Sequence, residues 1–239
     1  MALKLSVVFV RFGLPEMEAS SLKTLLANTN CRDLSLRVID NWGNPESLTA
    51  LWDRVCNEEI RAGKDVICLL NSDCWVAPGW WGPIEKIFEG SNRVAVCGPL
   101  SNCGPQTAPG EVPGAVFDAA GPNPGWLANA ANRCRELWPG QFSDCEIYGH
   151  CYCVHAAHLR AAKCFMPEVS EGFTLYGSEQ ALSSRLRKMQ LRTVVVKDSY
   201  AFHLGQASGK KIKNLAEEQE RGRELYVKKR GGQSGGVYT

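Results

Sequence analysis

An apolar run stops abruptly at three polar residues. In the segment DVICLLNSDCWVAPGWW at residues 65–81, the apolar run ends at Asn71, Ser72 and Asp73. Such a run is typical of a strand that is covered on both faces, and these strands occur mainly in parallel sheets flanked by helices. A carboxylate at the end of such a strand can close a turn, bind a divalent cation or do both. Its chemistry depends on the residues that the fold brings to it.

Polar side chains also follow two earlier predicted strands. Arg11 and Phe12 end the first, and Asp40 and Asn41 end the second. In open α/β sheets, ligands bind beyond the carboxyl ends of the strands. Asp40 can accept hydrogen bonds from a base or a ribose, whereas Asp73 can hold a hard cation. The set therefore suits a nucleoside diphosphate together with Mg²⁺ or Mn²⁺.

An alternation of strands and helices positions these residues. Apolar periodicity predicts strands at 3–12, 35–41, 65–71 and 93–100, with amphipathic helices at 18–29, 46–63 and 79–90. This order predicts a doubly wound parallel sheet with right-handed crossovers.

The second half of the chain is less regular. Residues 101–146 are dense in Gly and Pro around a predicted helix at 126–138, which indicates a loop region that borders a site. A strand leading into a helix follows at 145–162. A helix at 177–191, with Ser178 as its N-cap, precedes a strand at 191–205. The charged tail is predicted to be helical over 213–229 and frayed at its end.

Composition restricts the class of protein. The chain has 239 residues, of which 44% are hydrophobic and 22% charged, as expected for a globular domain. A net charge of +2 is too small to favour nucleic acid as the main partner. No window approaches the ~18 apolar residues of a membrane span, and no signal-peptide cleavage pattern is present, so we expect a cytoplasmic protein. The odd number of cysteines, several in apolar runs, indicates reduced thiols.

Six segments resemble, in order and spacing, family 2 glycosyltransferases of the GT-A fold. They are SVVFVRFG, LSLRVIDNWGN, DVICLLNSDCWVAPGWW, YGHCYCVHAAHLRAAKCFMPE, GFTLYGSEQALSSRLRKMQ and AFHLG. The resemblance implies a Rossmann-like, mostly parallel sheet flanked by helices, with an irregular acceptor-side region and a helical tail. It implies a GT-A domain over 1–207, whose nucleotide-sugar half is 1–100 and whose acceptor and catalytic half is 101–207, followed by a tail at 208–239.

Residue roles follow from the same resemblance. The metal ion, Mn²⁺ or Mg²⁺, is expected at Asp73 and His203, and Glu179 falls where the family has its catalytic base. Trp126 and Trp138, in the acceptor-side region, are candidates for stacking on an acceptor sugar. The residues expected to bind the nucleotide-sugar are Val10, Arg11, Phe12, Asp40, Asn41, Asn71 and Ser72.

The implied reaction inverts the anomeric carbon in one displacement. A UDP-, GDP- or dTDP-sugar would donate to a glycan or another hydroxyl acceptor, and the metal would stabilise the leaving diphosphate. The chain has Ser178 and Glu179 where the family usually has Glu-Asp, and Trp42 where a glycine is commoner. A degenerate protein that binds a nucleotide or glycan without turnover therefore remains an alternative. A sugar-phosphate nucleotidyltransferase is disfavoured because VRFGLPEME is not a glycine-rich basic loop.

Simpler roles remain open for the same residues. Asp40 and Asp73 can be turn formers, Glu179 can be a carboxylate favoured by a helix N-terminus, and His203 can be a structural histidine. The basic residues Lys210, Lys211 and Lys213 form either a solvated face or a lid over the diphosphate.

A zinc site among the clustered histidines and cysteines is disfavoured. On a strand, Cys151, Cys153 and His155 share a face that His150 does not, and no C-x-x-C pair is present. His158 extends the cluster into the following helix.

Overall fold

The computed structural model describes residues 2–41, 46–107, 117–118, 121–205 and 214–229. Its centre is a sheet of 8 strands, and a two-stranded hairpin lies apart from it. The strands are β1 Lys4–Arg11, β2 Asp33–Asp40, β3 Val66–Asn71, β4 Cys74–Val76, β5 Val94–Leu100, β6 Phe117–Asp118, β7 Gly121–Pro122, β8 Phe142–Asp144, β9 Cys151–His155 and β10 Arg192–His203. The helices are α1 Pro15–Asn28, α2 Leu48–Arg61, α3 Trp81–Gly90, α4 Pro124–Leu137, α5 Ala156–Ala161, α6 Met166–Ser170, α7 Ser178–Lys188 and α8 Leu215–Lys229.

The sheet is mostly parallel, as predicted. Its order is β2-β1-β3-β9-β5-β10-β4, and β8 pairs with β10. Strands β1, β2, β3, β5 and β10 run in one direction, whereas β4, β8 and β9 run against them. Strand β9 lies between β3 and β5, so the parallel order that the alternation predicts is interrupted there. The chain enters β9 beside the carboxyl end of β3, because the amide of Asn71 donates to the carbonyl of His150 over 3.0 Å.

Two apolar cores cover the two faces of the sheet. On one face, Leu5, Val7 and Phe9 of β1 pack with side chains of α1 and α3. On the other face, Val8 and Val10 pack with α2, α4, α5 and α7. Both faces of β1 are therefore apolar, which explains why its sequence is a continuous apolar run instead of an alternating one.

Helix starts agree with the sequence only in part. Helix α2 begins after Ser47, whose hydroxyl accepts from the Ala50 amide over 3.2 Å. The prediction that Ser178 caps α7 is wrong, because Gly177 holds the cap position with φ of +85° and Ser178 is the first helical residue. Glycine is required at 177: a Cβ there would lie 2.9 Å from the carbonyl oxygen of Gly222 on α8.

The tail helix α8 packs against the rest of the domain. Tyr226 forms a small core with Phe173 and Ala181, and its hydroxyl donates to Glu146 over 2.6 Å. The predicted domain boundary between 207 and 208 lies outside the described residues. The same holds for Trp42 and for the lysines at 210, 211 and 213.

All eleven cysteines are free thiols. Among the described residues, no helix combines the length and apolar character needed to cross a bilayer.

Candidate active site

The carboxyl ends of three parallel strands meet at one edge of the sheet. Arg11 is in register with Asp40, and Val10 with Asn71. The amide of Asn41 donates to the Arg11 carbonyl over 3.1 Å, which continues this pairing beyond the strands. The side chain of Val10 is buried in the core, so only its backbone is available to a ligand. The structure thus brings together the strand-end residues that the sequence assigned to a nucleotide.

Glu18 holds the turn after β1 and was missed by the sequence analysis. Its Oε1 accepts from the amides of Phe12 and Leu14 over 2.7 and 3.0 Å, and its Oε2 accepts from Arg11 Nε over 3.0 Å. Burial alone would raise the pKa of Glu18, but these donors outweigh burial and lower it below the ordinary value. Arg11 and Phe12 are therefore fixed by a buried carboxylate from the first turn of α1.

Asp73 and His203 face each other at the same edge. Strand β4 pairs with β10 so that Cys74 is opposite His203, and the amide of Leu204 donates to the Asp73 carbonyl over 3.0 Å. Asp73 Oδ1 then lies 3.2 Å from His203 Nε2. Asp73 is 1% exposed. Burial alone would lower the pKa of His203, but Asp73 and Cys103 raise it to about 9.

This pair fits a divalent ion. Two ligand atoms on adjacent positions of an octahedral Mg²⁺-sized ion, each at about 2.1 Å, are about 3 Å apart. The 3.2 Å between Asp73 Oδ1 and His203 Nε2 matches that separation. Beside Asp73, the buried Ser72 Oγ has no hydrogen-bond partner among the described residues, and neither has the buried Asn41 Oδ1. Buried polar atoms normally have partners, so these two indicate a place for a polar ligand.

Three residues from the irregular region and from the turn before β9 surround His203. Cys103 Sγ lies 3.3 Å from His203 Nδ1. The ring of His150 stacks on that of His203, with centroids 4.7 Å apart and planes at 11°. Asn102 Oδ1 accepts from the His203 amide over 2.7 Å, and Asn102 Nδ2 donates to the His203 carbonyl over 2.8 Å. Asn102 and Cys103 were not assigned from the sequence, because they lie in a loop that has no periodicity. His150 was considered only as part of the disfavoured zinc cluster.

Glu179 lies in the first turn of α7 and is 8% exposed. Its Oε1 accepts from the Gly149 amide over 3.2 Å, and its Oε2 accepts from the Ser178 hydroxyl over 3.3 Å. Burial raises the pKa of Glu179, and the hydrogen bonds only partly offset this effect. The buried carboxylate of Glu179 therefore holds a proton more tightly than an exposed carboxylate does.

A chain of contacts links Glu179 to Asp73 through His150 and His203. Gly149, which donates to Glu179, precedes His150, and His150 stacks on His203. Burial raises the pKa of Tyr176, its hydrogen bond with Gln219 lowers it, and the charges of Glu179 and Asp73 raise it further.

The two candidate acceptor tryptophans have different surroundings. Trp126 packs edge-on against Tyr200 and Phe202, with centroids 6.1 and 5.6 Å away. Trp138 lines a cavity of about 260 Å³ that Gln106 also lines. Their roles in acceptor binding stay predictions.

The cysteine and histidine cluster is divided by the sheet. Cys151 and Cys153 lie with Cys68 in the apolar core of one face, and all three are fully buried. His150 instead reaches His203 at the carboxyl edge. The division agrees with the opposite faces that strand periodicity predicts.

The sheet and its flanking helices define a GT-A fold. The structure of GalNAc-T7 with UDP, GalNAc and Mn²⁺ superposes with a TM-score of 0.57 at 15% identity, over 84% of this chain and 43% of that one. This chain therefore spans less than half the length of that protein, and the likeness shows the fold alone.

Two further solved structures are more distant. One is the mannosyltransferase PcManGT from Pyrobaculum calidifontis in complex with GDP-Man and Mn²⁺, with a TM-score of 0.49 at 11% identity, over 85% of this chain and 57% of that one. The other is a glycosyltransferase involved in the glycosylation of the major capsid of PBCV-1, with a TM-score of 0.43 at 11% identity, over 92% of this chain and 99% of that one. No protein-family model and no curated protein matches the chain. The resemblance to family 2 in particular stays an interpretation.

Proposed function

We propose that this protein is a metal-dependent, inverting glycosyltransferase that moves a sugar from a nucleoside-diphosphate donor to an acceptor hydroxyl. The observation that carries the proposal is the buried Asp73 carboxylate, which faces His203 at 3.2 Å. Glu179 is linked to this pair through Gly149 and His150. The likeness to GalNAc-T7 bound to UDP, GalNAc and Mn²⁺ supports a nucleoside-diphosphate donor and a divalent metal ion. The donor would be a UDP-, GDP- or dTDP-sugar, and the acceptor a glycan or another hydroxyl compound.

The donor would lie across the ends of β1, β2 and β3. Asp40 would accept hydrogen bonds from the base or ribose. Asn41, the next residue, would offer the buried Oδ1 of its side-chain amide. Arg11, 40% exposed and held by Glu18, can approach a phosphate without losing its position. Asn71 and Ser72 connect this pocket to Asp73.

Asp73 and His203 would hold the ion. When bound, Mn²⁺ or Mg²⁺ neutralises the charge that develops on the leaving diphosphate. Asp73 would supply an anionic oxygen, and His203 would supply the lone pair of Nε2 from its neutral ring, as metal binding requires. Because Asp73 is buried, its charge acts with little screening by solvent.

Glu179 accepts the proton of the acceptor hydroxyl. As that oxygen attacks the anomeric carbon, its proton passes to the carboxylate and the diphosphate leaves from the opposite face, which inverts the configuration. The Gly149 amide keeps Oε1 in place during this transfer. A donated hydrogen bond to each carboxylate oxygen reduces rotation of the base.

Location in a reducing compartment agrees with this proposal. The eleven free thiols fit the cytoplasm, where thiols stay reduced. The small net charge of +2 gives no support to a nucleic-acid partner.

A thermal-shift panel with nucleotide-sugars, with and without Mn²⁺, tests the proposal together with an assay of donor cleavage. We expect donor and Mn²⁺ together to stabilise the fold more than the sum of their separate shifts. Asp73→Asn should remove the part of the thermal shift that depends on Mn²⁺. Asp144→Asn, at an exposed carboxylate paired with Arg192, should keep it. If the thermal shift that the donor causes in the parent is the same with and without Mn²⁺, the proposal is contradicted.

Glu179→Gln separates an enzyme from a protein that only binds. The amide keeps the size of the side chain but accepts no proton, so binding shifts should persist while turnover falls by about 10²- to 10⁴-fold. If the parent binds donor and metal but cleaves none with any acceptor tested, the degenerate alternative is correct. This alternative is motivated by Ser178, which occupies a position where the resembled family usually has an acidic residue.

A further inference from the structure

His203 has a partner on each of its two ring nitrogens. Nε2 faces Asp73 Oδ1 at 3.2 Å, and Nδ1 faces Cys103 Sγ at 3.3 Å. The backbone of His203 is fixed by Asn102 through two hydrogen bonds, and its side chain is 14% exposed, so the ring has little freedom to turn. A histidine gives one nitrogen to a metal ion and normally donates the N–H of the other to a second group.

His150 is not that second group, although it stacks on His203. Gln106 Oε1 accepts from the Tyr148 amide over 2.8 Å, which fixes the orientation of the Gln106 amide. Gln106 Nε2 is therefore a donor, and it lies 3.1 Å from His150 Nε2 and 3.3 Å from the Pro99 carbonyl. His150 Nε2 accepts this hydrogen bond, so the neutral ring carries its proton on Nδ1. It offers no lone pair to His203 or to an ion.

We propose that Cys103 is the positioning residue of the metal site. Its sulfur accepts the Nδ1–H of His203, so that the lone pair of Nε2 faces the ion that Asp73 holds. The inference rests on the proposed function only for the existence of that site. The 3.3 Å between Cys103 Sγ and His203 Nδ1 is within hydrogen-bond distance for sulfur. The site is therefore pre-organised from the side opposite Asp73.

Mn²⁺ affinity of the full chain tests this role, measured from the electron paramagnetic resonance signal of free Mn²⁺ with and without UDP. We expect Cys103→Ala to weaken Mn²⁺ binding by about 10- to 100-fold, as loss of a histidine's second partner does. Cys103→Ser should recover most of the loss, because the hydroxyl also accepts the Nδ1–H. Rescue by serine is not expected if the sulfur only fills space, since the hydroxyl restores neither its volume nor its apolar contacts.

A matched control is Cys31→Ala, which removes a half-buried thiol that faces the Leu3 carbonyl at the far edge of the sheet. It should leave Mn²⁺ affinity within about twofold. Parent-like Mn²⁺ affinity in both Cys103 variants overturns the inference while leaving the proposed function intact. A parent that binds no Mn²⁺, even with UDP, instead overturns the metal site itself and with it the proposed function.

Co²⁺ in place of Mn²⁺ distinguishes a positioning residue from a direct ligand. A sulfur bound to Co²⁺ produces an intense near-ultraviolet charge-transfer band, whereas a sulfur that only accepts a hydrogen bond from histidine does not. We expect Co²⁺ to bind the parent without this band. A band that disappears in Cys103→Ser identifies Cys103 as a metal ligand and overturns the positioning role.

Discussion

Glu179 and Gly149 are in direct contact: Glu179 Oε1 accepts from the Gly149 amide over 3.2 Å. A Cβ at position 149 would lie 2.8 Å from the same oxygen and 3.1 Å from the ring of Trp52. The proposed base thus rests against a backbone position where a side chain has no room. Glycine is needed here because of close approach, since its φ is not in the left-handed region.

Gly149→Ala should displace the Glu179 carboxylate. We expect turnover to fall by tenfold or more, and the free energy of unfolding to fall by about 1–3 kcal/mol, because an added methyl group is forced into a packed site. Donor and Mn²⁺ shifts should persist. Gly82→Ala is the control: nothing lies within 4 Å of its Cβ, and alanine favours helix α3. Equal turnover in the two variants is the result that contradicts the predicted contact.

The raised pKa of Glu179 predicts the pH dependence of the reaction. The carboxylate must be ionised to accept a proton, so kcat/KM should rise with pH through the pKa of Glu179, which burial holds above its ordinary value of 4.5. The acid limb of the profile should therefore lie above pH 4.5. Residual activity in Glu179→Gln should lack this limb. Identical profiles for parent and variant would assign the limb to another group.

Glu18→Gln should weaken the turn after β1. The variant keeps the shape of the side chain but loses the charge that accepts from Arg11, Phe12 and Leu14, and we expect about 1–3 kcal/mol of lost stability at pH 7. The folded pKa is lowered, so this contribution is present above the unfolded pKa and is lost as pH falls through the folded value.

Urea unfolding of Glu18→Gln at neutral and acid pH tests whether the stabilisation by Glu18 is lost on acidification. The difference from the parent should be larger at pH 7 than below pH 4. Glu16→Gln, at an exposed carboxylate in the same helix turn, is the control and should change stability by less than about 0.5 kcal/mol. A difference that grows on acidification contradicts the lowered pKa.

Arg185→Met should destabilise the junction of α6, α7 and α8. Arg185 Nη2 donates to the fully buried Glu168 over 2.6 Å and to the Cys164 carbonyl over 2.7 Å. Without Arg185, Glu168 retains one cation, Lys229 at 3.2 Å. We expect a loss of about 3 kcal/mol, because a buried charge loses its main partner.

The control for this variant is Arg133→Met. Arg133 is 45% exposed and pairs with Glu136 at 3.6 Å on the surface of α4, so its removal should cost less than about 1 kcal/mol. Chemical denaturation of the two variants measures both effects. Similar losses of stability in the two variants would show that the buried ion pairs of Glu168 stabilise the fold no more than a surface ion pair does.

Local periodicity accounts for much of the fold. The predicted strands at 3–12 and 65–71 and the helix at 46–63 agree with β1, β3 and α2 within a few residues, because their apolar patterns depend on local sequence. Strands β4 and β8 were not predicted, since runs of three residues have no measurable period. The direction of β9 depends on its neighbours in the sheet, which pattern analysis does not include.

The site divides in the same way. Asp73 and Asp40 are recognisable from sequence as polar residues at the ends of strands, and the resemblance supplied Glu179 and His203. Glu18 and Cys103 were missed, because their importance lies in contacts that exist only after folding. Ser178 was misassigned as a cap because the cap position is held by Gly177, whose close approach to Gly222 on α8 is a contact between distant parts of the chain.

The central place of β9 has a consequence for biosynthesis. Strands β3 and β5 emerge early from the ribosome, yet β9, whose last residue is His155, lies between them in the sheet. Until that segment is made, the facing edges of β3 and β5 are unpaired and invite aggregation, and the other edge of β5 waits for β10. We expect early association with a holdase chaperone and slow folding for the size of the protein, since its decisive pairings are remote in the chain.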